Sequence, residues 1–147
     1  MTIRPAIAGD AQSIAAIVDA AYAIYVPRLG RKPGPMLDDH AGRIADGQTF
    51  VLEQEGGIAG VLVLEAQPDA LLLDNIAVLP TFQGQGLGRI LIAYAEQQAR
   101  RAGYAVLRLY THVLMTENIR LYSRIGFRET HRVSEKGFER VYMEKPV

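Results

Sequence analysis

The sequence predicts an α/β fold of the α+β kind: a mixed, mostly antiparallel sheet of six to seven strands, about four helices on both faces, and one parallel strand-helix-strand crossover. Three observations carry this. Short runs rich in Val, Ile, Leu and Tyr alternate with segments whose apolar residues recur at helical spacing. Two pairs of runs are joined by glycine turns, Glu55-Gly56-Gly57 and Lys136-Gly137, which predicts two antiparallel hairpins. Between the runs Ala70–Val78 and Ala105–His112 lies one long amphipathic segment, so the chain crosses over and returns in the same direction.

Taken in order, Thr2–Pro5 reads as a short first strand. Asp10 stands where an N-cap belongs, before a helix whose Ile14, Ile17, Val18 and Ala21 share one face. "VPRLGRKPGP", Val26 to Pro35, has the Pro and Gly content of a long loop. A shorter second helix follows in "PMLDDHAGRIADG", with Pro35 at its start and Gly47 at its end. "QTFVLEQ" and "IAGVLVLEA" are the strands of the first hairpin, and the next apolar run stops at Pro80. Leu87, Ile90, Leu91, Tyr94 and Ala95 then recur at helical spacing as far as Gly103, a C-terminal cap. "AVLRLYTH" is a strand, a last helix runs from about Thr116 to Ile125 and ends at Gly126, and "FRETHRV" with "FERVYMEK" closes the chain as the second hairpin.

With 147 residues, 49% hydrophobic and 22% charged, residues 1–147 have the size of one domain with its own core. Sixteen basic side chains against sixteen acidic ones leave no net charge, so the global field that draws proteins to nucleic acid is missing and no nucleic-acid partner is expected. Cysteine is absent, which excludes disulfides, thiolate metal sites and a Cys nucleophile, and makes a reducing cytoplasm the simplest setting. "MTIRPAIAGD" lacks the basic start and apolar stretch of a signal peptide, and no apolar run approaches bilayer-spanning length. A soluble cytoplasmic protein without a membrane partner is expected.

The most informative stretch is Gln83-Gly84-Gln85-Gly86-Leu87-Gly88, between the strand that stops at Pro80 and the long helix. A triphosphate loop requires Lys followed by Ser or Thr after its last glycine, and Arg89 with Ile90 stands there instead. A dinucleotide loop requires a third glycine three residues after the second, whereas these run G-x-G-x-G. Its ribose-binding acid is also missing from the end of the next strand, which carries Thr111 and His112. A tight turn without ligand, or a cradle for another phosphate built on helix N–H groups and the helix dipole, both remain open on the loop alone.

The hexapeptide matches Gln/Arg-x-x-Gly-x-Gly/Ala, and on this motif the chain resembles the GCN5-related N-acetyltransferases, in which the loop binds the pyrophosphate of acetyl-CoA. "DNIAVLP" resembles that family's fourth strand, and "TENIRLYSRIGF" its later motif, an Asn followed four residues on by Tyr and then by Gly-Phe. The element order, over nearly the whole chain, is similar to the family fold.

The resemblance implies transfer of an acetyl group from acetyl-CoA to a primary amine by direct attack, with no metal. It gives the main chain of Ile76, Ala77 and Val78 to the pantetheine arm. It gives the loop of Gln83, Gly84, Gln85, Gly86, Leu87, Gly88 and Arg89 to the cofactor, with the diphosphate on the amides from Gln85 to Arg89. Asn118 and Tyr122, four apart on one helix face, are then a pantetheine contact and the general acid whose hydroxyl points at the thioester sulfur. The attacking amine must lose a proton, and Asp74, two residues before Ile76, lies where many relatives carry an acidic base. Glu65 and His112 are weaker candidates.

The acceptor is expected to be a small-molecule or peptide amine. Tyr22, Tyr25, Arg28, Arg31 and Lys32 could line its pocket and pair with a substrate carboxylate. Asp38 and Asp39 could attract a cationic amine, although acidic residues near a helix N-terminus also stabilise the helix itself. The closing hairpin leaves an edge that a homodimer could use. A non-catalytic acyl-CoA binding or sensing module of the same fold is the alternative function.

Overall fold

The computed structural model describes every residue from Met1 to Val147. Its elements are β1 (Thr2–Pro5), α1 (Ala11–Tyr22), α2 (Tyr25–Leu29), α3 (His40–Ala45), β2 (Thr49–Gln54), β3 (Gly57–Ala66), β4 (Leu71–Val78), α4 (Leu87–Arg101), β5 (Val106–His112), α5 (Thr116–Ile125), β6 (Arg128–Glu135) and β7 (Phe138–Pro146). The strands form a mixed seven-stranded sheet in the order β1-β2-β3-β4-β5-β7-β6. β4 and β5 pair in parallel through Leu71 to Leu73, joined by α4, while β1–β2, β2–β3, β5–β7 and β6–β7 pair antiparallel. No helix is long and apolar enough to cross a membrane.

Local chemistry explains the hairpins. Glu55 and Gly56 have φ of 54° and 78°, and Lys136 and Gly137 have 52° and 79°. Two successive left-handed residues match the right-handed twist of the strands they join.

Three local features differ from the sequence expectation. The stretch read as a loop from Val26 to Pro35 contains α2, because Pro27 falls in the first turn, where no helical N–H is required, and Gly30 caps the end. The single helix expected from Pro35 to Gly47 is instead a 3₁₀ turn at Gly34–Leu37 followed by α3. The break comes at Asp39, whose Oδ1 accepts from Gly42 N–H at 3.0 Å and starts a new helix. The α-helices therefore number five rather than about four. Finally, Asp10 precedes α1 without capping it: its Oδ2 accepts from Ile7 N–H at 2.8 Å and from Arg4 at 2.8 Å.

The chain divides into two compact units, Met1–Leu64 with Asn75–Ile92, and Glu65–Asp74 with Ala93–Val147. The first has a core of Ile14, Ile17 and Val18 from α1, Val51 and Leu52 from β2, Val61 to Val63 from β3, and Leu91. There Gly60 lets α4 close on β3, since a Cβ at this position would lie 3.0 Å from Leu91 Cδ1. The second has a core of Leu71 to Leu73, Ala95, Ala99, Leu107, Leu109, Val141 and Met143. At its edge, β6 is exposed along most of its length, with a register shift between Glu129 and His131 and the charges of Arg128, Glu129 and Arg132. This is the edge expected to serve a homodimer, and bulge and charge are the devices that keep an edge from adding a strand.

Candidate active site

In the first unit the sequence after β4 builds a helix N-terminus open to solvent. Gly84 and Gly86 have φ of +83° and +78°, which an L side chain adopts only with strain. A Cβ added at Gly84, Gly86 or Gly88 would meet nothing within 4 Å, so all three keep space clear in front of the backbone. The first bond of α4 runs from Ile90 N–H to the Gly86 carbonyl at 3.2 Å, leaving the N–H groups of Leu87, Gly88 and Arg89 ahead of the helical ladder. Leu87 is buried and anchors the turn, while Arg89 is exposed. Gln83 Nε2 donates to the Val78 carbonyl at 3.3 Å, and Gln85 Oε1 accepts from Gln54 at 3.4 Å, tying the loop to strand ends. Aligned N–H groups with the positive end of a fifteen-residue helix behind them are suited to a phosphate oxyanion.

The end of β4 leads into this loop. Ala77 is buried, and Ile76 and Val78 are half-buried. Tyr22 of α1 is buried, and its hydroxyl lies 2.9 Å from Asn75 Oδ1 and 3.1 Å from the Ile76 carbonyl. Tyr25 packs beside it at 6.3 Å between ring centroids, and the Arg28 guanidinium lies 5.1 Å from the Tyr25 centroid. Tyr22, Tyr25 and Arg28, three of the five residues expected to line the acceptor pocket, thus form one cluster, with Tyr22 turned inward onto β4.

In the second unit α5 carries Asn118 and Tyr122 one turn apart. Tyr122 is buried, its ring edge-on to Phe127 at 5.9 Å, and its carbonyl accepts the N–H groups of Gly126 and Phe127 that close the helix. Asn118 is half-buried, with Nδ2 3.6 Å from the sulfur of Met115, which also takes the Thr111 hydroxyl at 3.6 Å. Sulfur is a weak acceptor, so these contacts orient the amide without consuming much of its bonding capacity.

Asp74 belongs to the same unit and accepts a hydrogen bond from the Tyr110 hydroxyl at 2.9 Å. His112 accepts Leu114 N–H on Nδ1 at 3.0 Å, which puts the proton of the neutral ring on Nε2. Burial pushes its pKa down, with Glu139 opposing the shift and Arg140 adding to it. Glu65 is half-buried at the end of β3. No group of three or more His, Asp or Glu side chains is placed to hold a metal ion.

Sequence reasoning missed Tyr110, Arg140, Asn75 and Met115. The one signal for the first two was alternation, with Arg108, Tyr110 and His112 on one face of β5 opposite Glu144, Tyr142 and Arg140 of β7.

A family model described as acetyltransferase (GNAT) domain matches residues 45–129, more than half of the chain. The chain belongs to the GNAT family. The GNAT match takes in β4, the glycine loop, Asn118 and Tyr122. A [ribosomal protein bS18]-alanine N-acetyltransferase of Escherichia coli (strain K12) is 36% identical over 80 residues, 54% of either chain. The chain thus spans about half the length of the curated relatives it matches first. The crystal structure of the Escherichia coli ribosomal-protein-S18-alanine N-acetyltransferase superposes with a TM-score of 0.76 at 25% identity, covering 99% of this chain and 93% of that one. The PaiA N-acetyltransferase of Thermoplasma acidophilum, solved in complex with coenzyme A, shares the GNAT fold with a TM-score of 0.81 at 16% identity, covering 99% and 98% of the two chains.

Proposed function

We infer that this protein is an acetyl-CoA-dependent N-acetyltransferase that moves the acetyl group to a primary amine by direct attack of the amine. The observation that carries this reading is the loop from Gln83 to Arg89, where left-handed Gly84 and Gly86 clear the space before three N–H groups at the start of α4. That cradle fits a diphosphate. Bound acetyl-CoA supplies an activated acetyl carbonyl and a sulfur leaving group.

In this reading the amides from Gln85 to Arg89 hold the diphosphate, and Gln83 and Gly84 fix the loop that presents them. The main chain of Ile76, Ala77 and Val78 aligns the pantetheine arm, beyond the three residue pairs that join β4 to β5. Asn118 contacts that arm. The Tyr122 hydroxyl gives its proton to the departing sulfur; a phenol of ordinary pKa about 10 does so to a thiolate of about 8.5 only mildly uphill. Asp74 takes the proton from the amine, directly or through a water. Arg28, held over Tyr25, is suited to a substrate carboxylate, while Tyr22 acts from behind by bracing β4. The relatedness to an enzyme named for a protein alanine supports a peptide amine as one acceptor class beside small amines.

The test is CoA release across a panel of small amines and peptides, for wild type and Tyr122→Phe. Wild type turns over at least one primary amine, and the variant loses kcat by roughly 10²-fold or more while still binding acetyl-CoA. Tight acetyl-CoA binding without turnover of any amine would make the protein a sensor instead.

A further inference from the structure

Asp74 is the one charged residue of β4, and a chain of contacts across the neighbouring strands ends on its carboxylate. It and Tyr110 stand one position beyond Leu73 and Leu109, the last pair of the parallel ladder, and the Tyr110 hydroxyl donates to Asp74 Oδ1 at 2.9 Å. Tyr110 is held in turn from β7. The Arg140 guanidinium lies 4.3 Å from its ring centroid, and the Tyr142 ring lies 5.5 Å away. Glu135 of β6 fixes both, accepting from Arg140 Nη1 at 2.9 Å and from the Tyr142 hydroxyl. These two donors keep Glu135 below the usual carboxylate range, so it remains an anion for Arg140.

The contact on Asp74 has a direction. Burial first, and then the charge of Asp74, push the Tyr110 phenol well above its ordinary pKa, so it keeps its proton and acts toward Asp74 only as a donor. Arg140 works the other way on Tyr110 and makes the hydroxyl a stronger donor without ionising it. The charged and titratable groups around this hydroxyl are Asp74 from β4 and Arg140 and Tyr142 from β7, with Glu135 of β6 behind them. The terminal torsion of an aspartate is broad, so a bond to one oxygen decides where the carboxylate points. The same bond favours the anion, the form that can take a proton.

We propose that Tyr110 is a positioning residue for Asp74, orienting the carboxylate that takes the proton from the attacking amine, and that Arg140 braces Tyr110 for this task. The inference rests on the reading of Asp74 as the base. The amine proton passes to Asp74, directly or through a water, and Tyr110 keeps its own throughout.

Tyr110→Phe tests this, because the ring stays between Arg140 and Tyr142 and only the hydroxyl is lost. With the amine of highest kcat/KM from the panel, kcat falls roughly tenfold, a fraction of what removal of a general base costs. KM for acetyl-CoA stays within about twofold of wild type. The acid limb of the pH–rate profile moves to higher pH by roughly one pH unit, since a carboxylate that loses a donor binds its proton more tightly. Carbon-13 NMR titration of labelled aspartate shows the Asp74 carboxyl moving the same way, without reference to turnover. Arg140→Gln gives a smaller change in the same direction. Asp74→Asn loses the acid limb, and Tyr110→Phe added to it has no further effect. An equal fall in kcat with and without Asp74, or an unmoved acid limb, overturns the positioning role. Wild-type rate and profile in Asp74→Asn would overturn the base assignment, and this inference with it.

Discussion

The hydroxyl of Tyr22, at the end of α1, lies 3.1 Å from the main-chain carbonyl of Ile76 in β4 and 2.9 Å from the side-chain oxygen of Asn75. A hydroxyl has one proton for these two acceptors, and Asn75 Nδ2 is buried without a partner, so this contact already has little bonding capacity to spare. Tyr22→Phe leaves the buried Asn75 oxygen unsatisfied as well and lowers stability by about 1–3 kcal/mol. Because Ile76 begins the segment assigned to pantetheine, acetyl-CoA affinity falls too. Thermal melting and calorimetric titration check both. A variant that melts and binds like wild type would show that Tyr22 does not brace β4.

The glycines of the loop separate into two kinds. Gly86 has φ of +78°, so Gly86→Ala destabilises the fold by roughly 1 kcal/mol through backbone strain. Gly88 lies in the first turn of α4 without a positive φ, and a methyl group there meets nothing within 4 Å. Gly88→Ala therefore raises stability by up to about 1 kcal/mol, since alanine is the better helix former. If the open space serves a diphosphate, the same substitution weakens acetyl-CoA binding tenfold or more, on the order of 1.4 kcal/mol. Stability and affinity moving in opposite directions is the signature of a glycine kept for its ligand, and unchanged affinity would remove that argument.

How far the sequence could be read follows from where the information sits. The helix Thr116–Ile125 and its closing Gly126 agree with the residues themselves, because apolar spacing and a terminal glycine are both local. α2 was hidden because Pro27 and Gly30 signal a loop by composition, and only their position within one turn reveals a helix start and a cap. The glycine turn before α4 was legible for the same reason as α5: left-handed backbone at Gly84 and Gly86 selects glycine directly. The bond between Asp74 and Tyr110 was not, since it joins residues 36 apart and depends on strand register. The inward turn of Tyr22 was equally invisible, because an aromatic at the end of an amphipathic helix serves a pocket or a core with the same spacing.

Gly60 gives a packing test independent of any ligand. A Cβ at this position would lie 3.0 Å from Leu91 Cδ1 and 3.4 Å from the Ala77 carbonyl, and Gly60 is buried. The leucine can yield by rotating, whereas the carbonyl belongs to the strand assigned to pantetheine. Gly60→Ala thus costs about 1–3 kcal/mol by overpacking, and Gly60→Val more. Melting temperatures that fall in that order, with acetyl-CoA affinity falling alongside, are the expected result. No loss in Gly60→Val would mean that β3 and α4 are not held this closely.

A last prediction concerns acid. The carboxylate of Asp10 takes a forked pair of bonds from Arg4, at 2.8 and 3.2 Å, and Arg4 also bonds Glu53. The Arg4 guanidinium holds Asp10 below its ordinary pKa; burial opposes this, and the Ile7 N–H adds to it. A folded pKa below the unfolded value of about 3.9 means that the unfolded chain binds the proton first as pH falls. The stability Asp10 contributes is therefore fully present above about pH 5 and is lost as pH drops through the folded pKa. Asp10→Asn removes the charge while keeping the shape. Its melting temperature lies below that of wild type at neutral pH, and the gap closes as both are taken below about pH 4. Melting curves of the pair across this range measure the difference, and a gap that stays constant down to about pH 2.5 would show that ionisation of Asp10 contributes nothing to the fold.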